Sequence, residues 1–233
     1  MAKDWFRRTT WTPADREAFF ARLRRSRTTF HKAQYLCLQA GTFLGCRTPE
    51  GTAAALELTE VLLRDYPDPF ELASAHLIRA EYLESQGDVP GAVEAYRHAL
   101  QAQRDHPRVR TTAPQGFAWL VATRPLPDLY REALAGLDEF GETDGSYRSR
   151  GARALIQFAL GDRAAAGRSA RLALEAAAGR SGLRASDRRV RERLAEVAAA
   201  EPVAPPDPAT ASHSEHPADP GARTCHWRPS GES

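Results

Sequence analysis

Lysine is nearly missing from this chain: of 32 basic residues, only Lys3 and Lys32 are not arginine. Set beside the abundance of alanine, that bias is read as the mark of a GC-rich bacterial genome rather than of arginine chemistry. The basic residues face 30 acidic ones, for a formal net charge of +2. Bulk charge therefore points to neither a nucleic-acid nor a membrane-surface partner. The three cysteines, Cys37, Cys46 and Cys225, are odd in number and scattered, which excludes a disulfide framework and makes a reducing cytoplasm the expected setting. No stretch approaches the roughly 18 uninterrupted apolar residues of a membrane span, and Met1 to Trp11 lacks the apolar run of a signal peptide. Val, Ile and Thr never cluster with period-two alternation, so no strands are expected.

The usual signatures of catalysis are missing too. There is no glycine-rich phosphate loop after a strand, no HExxH and no nucleophile elbow. Cys37 and Cys46 fall on an apolar helical stretch, where buried inert thiols are the common case. His213, His216, Cys225 and His226 have poor spacing for zinc and sit among prolines that would give no second shell. Neither enzyme activity, a cofactor nor a metal site is expected.

What is present is a repeat. Ala80, Gly87, Asp88, Ala92, Ala99 and Leu100 recur 74 positions later, twice 37, as Ala154, Gly161, Asp162, Ala166, Ala173 and Leu174. Leu63, Leu100, Leu137 and Leu174 fall at single steps of 37. A period of that length is the sign of stacked helical hairpins, because one hairpin cannot bury its apolar face alone.

The helix boundaries are marked by capping residues. Thr12-Pro13 and Thr48-Pro49 read as an N-cap followed by proline at the first helical position, and Asp15 is near enough to serve the exposed amides. Asp68-Pro69-Phe70-Glu71 reads the same way, with Glu71 closing a capping box. Gly87-Asp88 and Gly161-Asp162 each read as the end of one helix and the start of its antiparallel neighbour.

These signals predict a leading helix over 13–26, hairpins pairing 30–45 with 49–65, 69–86 with 89–104, 114–124 with 127–140 and 145–160 with 163–178, and a closing helix over 187–200. The organisation that follows is an aromatic segment and capping helix over 1–29, repeats over 30–179, a capping helix over 180–201 and a proline-rich tail over 202–233. The tail has too few large apolar residues to offset its ordering entropy and is expected to be disordered.

The second hairpin resembles a tetratricopeptide repeat. The residues that carry the resemblance are Ala80-x6-Gly87-Asp88-x3-Ala92-x3-Tyr96-x2-Ala99-Leu100. Small residues stand where helices touch, and Tyr96 and Leu100 fill the space between layers. The fourth hairpin keeps this skeleton with Ala170 in place of Tyr96; the first and third depart further, with Glu50 and Arg124 at the position of Gly87 and Phe43 and Phe117 at that of Ala80. The resemblance implies an all-α solenoid of about four hairpins in which the first helix of each lines a concave groove. Carried onto this chain, it places Leu77, Glu81 and Glu84 in the groove from the second hairpin, Arg148, Leu155 and Phe158 from the fourth, and Tyr35 and Gln39 from the first. The lysine and asparagine set that grips a peptide carboxylate in some members is not there.

Trp5, Phe6 and Trp11, with Phe19, Phe20 and Leu23, are read as a cover for the first hairpin rather than an anchor for a partner. Arg184, Arg188, Arg189, Arg191 and Arg193 are interleaved with Asp187, Glu192 and Glu196, while Val190, Leu194 and Val197 make an apolar stripe. That is a solvated terminal helix, and nucleic-acid binding is the weaker alternative. The function expected is non-catalytic binding of a partner protein or peptide. The alternative is a regulator that holds a small ligand or peptide between Trp119 and the fourth hairpin.

Overall fold

The computed structural model describes residues 4–46, 48–141, 146–178 and 185–200. All regular structure among them is helical. The segments are α1 (Pro13–Arg24), α2 (Thr29–Cys46), α3 (Pro49–Asp65), α4 (Leu72–Gln86), α5 (Val89–Asp105), α6 (Ala113–Thr123), α7 (Tyr130–Phe140), α8 (Tyr147–Ala159), α9 (Arg163–Ala178) and α10 (Ala185–Ala199), with a short 3-10 turn at Pro127–Leu129. The proline-rich tail and its His and Cys residues lie outside the described residues. No described helix is long and apolar enough to cross a membrane.

Capping side chains set where the helices begin. Thr12 and Asp15 form a reciprocal box: Thr12 Oγ1 accepts from Asp15 N at 3.2 Å, and the Asp15 carboxylate accepts from Thr12 N at 3.1 Å. Thr48 accepts from Gly51 N, Asp88 from Gly91 N and Asp162 from Ala165 N, each at 3.0 Å. Each bond satisfies an amide that the first turn leaves without an intrahelical partner. Gly87 (φ 79°) and Gly161 (φ 88°) take the left-handed conformation that stops one helix, so that Asp88 or Asp162 can cap the next, which starts two residues after the glycine.

The start of α4 differs from the expectation. Asp68 Oδ1 accepts from Phe70 N at 3.0 Å, and its carbonyl accepts from Glu71 N and Leu72 N. These bonds close a turn at 68–71, so the helix begins at Leu72. Glu71 makes no capping bond; its carboxyl is half-buried and interacts with the Cys37 thiol of α2. In the third pair, two prolines flanking Leu126 replace the glycine turn, and the chain passes through the 3-10 turn before α7.

Helices adjacent in sequence pack as pairs: α2 with α3, α4 with α5, α6 with α7 and α8 with α9. The first helices also touch in series, α2 to α4, α4 to α6 and α6 to α8, and α10 covers both α8 and α9. Alanine permits these close approaches. Ala80, Ala92 and Ala99, and their counterparts Ala154, Ala166 and Ala173, are all fully buried.

Two apolar clusters form the interior and meet along α4, which gives Ala75 and Ile78 to one and Ala80 to the other. The first surrounds Phe19, Phe43, Leu58 and Leu62; the second surrounds Tyr96, Phe117, Leu120, Ile156 and Leu194. Each such side chain contributes about 1.5–3 kcal/mol by leaving water.

On the surface, Arg97 reaches Glu132 and Arg104 reaches Glu139 in two forked ion pairs, seven residues apart on both α5 and α7. Hydrogen bonds from the arginines hold both carboxyls below the usual carboxylate range. The pairs are exposed, so each adds at most about 1 kcal/mol. Their main effect is to fix α7 in register against α5.

Tyr96 occupies the tightest place in the second cluster. A Cβ at Gly116 would stand 2.7 Å from its ring edge and from its hydroxyl. Gly116→Ala is therefore expected to destabilise the fold by about 1–3 kcal/mol in chemical denaturation. The same substitution in a Tyr96→Leu background should cost clearly less; equal costs in the two backgrounds would refute the proposed collision.

Candidate partner-binding groove

α4 lies between α2 and α6, and beside its exposed face runs an open groove of about 820 Å³. Three first helices line it through their C-terminal ends. α2 supplies Gly41, Leu44 and Gly45, α4 supplies Leu77, Ile78, Glu81, Glu84 and Ser85, and Arg124 stands just beyond the end of α6. Thr52 from the first turn of α3 completes the wall.

The two glycines shape this groove. A Cβ on Gly41 or Gly45 would meet no atom within 4 Å, so their missing side chains leave open space against bare helical backbone. They stand one turn apart on the same side of α2. Leu77 is half-buried and Ile78 is buried with only 7 % exposed, giving the groove an apolar floor that also holds Glu81 and Glu84 in its lining.

Glu84 is held in place from below. Tyr96 Oη, on a side chain only 1 % exposed, donates to Glu84 Oε2 at 3.0 Å. Burial, and then the carboxylates of Glu84 and Glu81, push the phenol well above its ordinary value, so it remains a donor throughout the physiological range. The core thus orients a charge on the surface.

The sequence-expected residues divide into three groups. Leu77, Glu81 and Glu84 line the groove together. Arg148, Leu155 and Phe158 are on α8, outside that lining: the Arg148 guanidinium lies 5.2 Å from the Trp119 ring centre, Leu155 packs on the second cluster, and Phe158 sits between Arg163 and Arg193 at 5.3 and 5.4 Å.

Tyr35 and Gln39 require correction. The Tyr35 ring packs at a tilt against Trp5 and Phe6, with centres at 4.9 and 5.0 Å, and Gln39 is fully buried. The Gln39 amide accepts from Arg8 N and donates to Arg8 O, both at 2.8 Å, so it is consumed in fastening the leading segment. In that segment Trp5, Phe6 and Trp11 pack against the first cluster. Trp11 contacts Phe19, Phe20 and Phe43, and its indole N–H donates to Glu57 at 3.1 Å.

Gly41, Leu44, Gly45 and Arg124 were not anticipated as groove residues. A signal existed: two glycines four apart inside a predicted helix each cost about 1 kcal/mol relative to alanine and call for a local reason. Beside Trp119 stand the Tyr147 ring, at 5.6 Å between centres, and the Arg148 guanidinium, and Trp119 itself is 5 % exposed. On α10, Arg188, Arg189, Arg191 and Arg193 are exposed, and Arg193 pairs with Glu196 at 2.9 Å. Among the described residues no group of three or more His, Cys, Asp or Glu could hold a metal ion. Cys46 is exposed rather than buried, whereas Cys37 is mostly enclosed and its thiol is pushed far up, chiefly by burial and then by Glu71.

No family model, curated protein or solved structure matches this chain.

Two measurements check these environments. Brief alkylation followed by peptide mass spectrometry should modify Cys46 in the folded protein and leave Cys37 intact until denaturant is added. The second concerns His76, whose ring stands 5.0 Å from that of His98 and whose Nδ1 is buried without a partner. Burial, then His98 and Arg79, lower its pKa from 6.5 to about 4. Because the folded value is depressed, the neutral ring's contribution is fully present above pH 6.5 and is lost as pH falls toward 4. The ring is partly exposed, so the loss should be about 1–2 kcal/mol, and His76→Phe should flatten stability across that interval.

Proposed function

We propose that this protein is a non-catalytic interaction scaffold that binds a segment of another protein in the groove over α4. In this reading the paired helices form four tetratricopeptide-like hairpins stacked as a solenoid. The reuse of glycine–aspartate turns at 87–88 and 161–162 supports it, as do the serial contacts from each first helix to the next. The observation that carries the functional reading is the pair of bare positions, Gly41 and Gly45, facing an apolar floor rimmed by charge. Glycine inside a helix weakens it, and here the conformational cost is matched by room for a ligand rather than by closer helix packing. A groove with an apolar bed and a few fixed polar groups is suited to a short peptide or two turns of a helix.

A photo-crosslinking amino acid placed at Ser85 tests this in a lysate of the native host. It should form a protein adduct that disappears when Gly45→Phe fills the groove, while the same probe at exposed Leu172 on α9 gives no such adduct. Equal adducts at both positions, or an adduct at Ser85 indifferent to Gly45→Phe, would exclude this groove as the binding surface.

A further inference from the structure

We infer that the groove selects a cationic segment, an arginine or lysine beside an aliphatic residue on the partner protein. The inference rests on the binding reading above and concerns the chemistry of the occupant. The last turns of α2 and α4 and Arg124 beyond the end of α6 border this groove, and each of these helix ends carries the negative pole of a helix dipole, with late carbonyls of α4 and α6 accepting from Gly87, Asp88, Arg124 and Leu126. Glu81 and Glu84 add two carboxylates, and among the described lining residues Arg124 is the one cation.

The helices that start along the same edge carry anionic residues at their caps or first turns, which offset their positive poles. The first turn of α3 is capped by Thr48 and carries Glu50, and that of α5 is capped by the anionic Asp88. Geometry adds a reason to favour long basic side chains. Leu77 and Ile78 form a floor for an alkyl stem, the bare backbone at Gly41 and Gly45 leaves room beside it, and Glu84 stands at the edge where the charged head would emerge. Tyr96 fixes Glu84 through its Oε2, so the carboxylate is oriented before a ligand arrives.

The test uses the full-length chain and a phage library of random twelve-residue peptides. Selected peptides should pair Arg or Lys with Leu, Ile, Val or Met. The best of them, made synthetically, should lose about tenfold or more in affinity against the Glu81→Gln, Glu84→Gln double variant. Glutamine at 84 still accepts from Tyr96, so the charge is removed while the support is kept; thermal melts confirm that the variant folds. Binding should also weaken as salt is raised. If Gly45→Phe abolishes binding but the selected peptides are acidic or uncharged, or ignore the double variant, the cationic assignment is wrong and the groove reading stands. If no peptide is selected, or those selected ignore Gly45→Phe, the groove reading falls and this inference falls with it.

Discussion

The approach of α4, α5 and α6 around one tyrosine is the constraint on which the described structure turns. Tyr96 can lie between these helices because Ala80 and Ala92 let α4 and α5 close on each other and because Gly116 has no side chain. Its ring joins the second apolar cluster while its hydroxyl holds Glu84 of α4. A change in the spacing of these helices would alter core density and surface charge together. Interiors packed like crystals do not absorb such shifts gradually.

α4 serves both apolar clusters and the groove, and Ile78 belongs to a cluster and to the groove lining at once. Ala75 and Ile78 serve one cluster and Ala80 the other, His76 turns toward α5, and Leu77, Glu81 and Glu84 border the groove. The helix that joins the two apolar clusters therefore also carries the candidate site. Sites on well-supported helices hold their geometry better than sites on loops, and the hydrogen bond to Glu84 is an instance of such support.

Much of the architecture could be read from local chemistry. The bounds of α3 and α9 agree with the expected 49–65 and 163–178, because Thr48-Pro49 and Gly161-Asp162 act through the backbone within a few residues. The site was legible only in part. Leu77, Glu81 and Glu84 follow from helical periodicity within α4, but Gly41, Gly45 and Arg124 join them only through the packing of α4 against α2 and α6. Tyr35 and Gln39 misled for the same reason. Their face of α2 suits a groove, and a stretch some thirty residues earlier, Trp5 to Arg8, is what covers them. Glu71 misled on a smaller scale, since its spacing from Asp68 matched a capping box while tertiary contact with Cys37 drew the carboxyl elsewhere.

The doubly bonded amide of Gln39 has a consequence for association. By answering both the N–H and the carbonyl of Arg8, a side chain imitates a neighbouring peptide unit and secures an irregular stretch without any sheet. Trp5 and Phe6 are thereby held against Tyr35, and this flank of the first apolar cluster is met by residues of the same chain rather than left for a second molecule to meet.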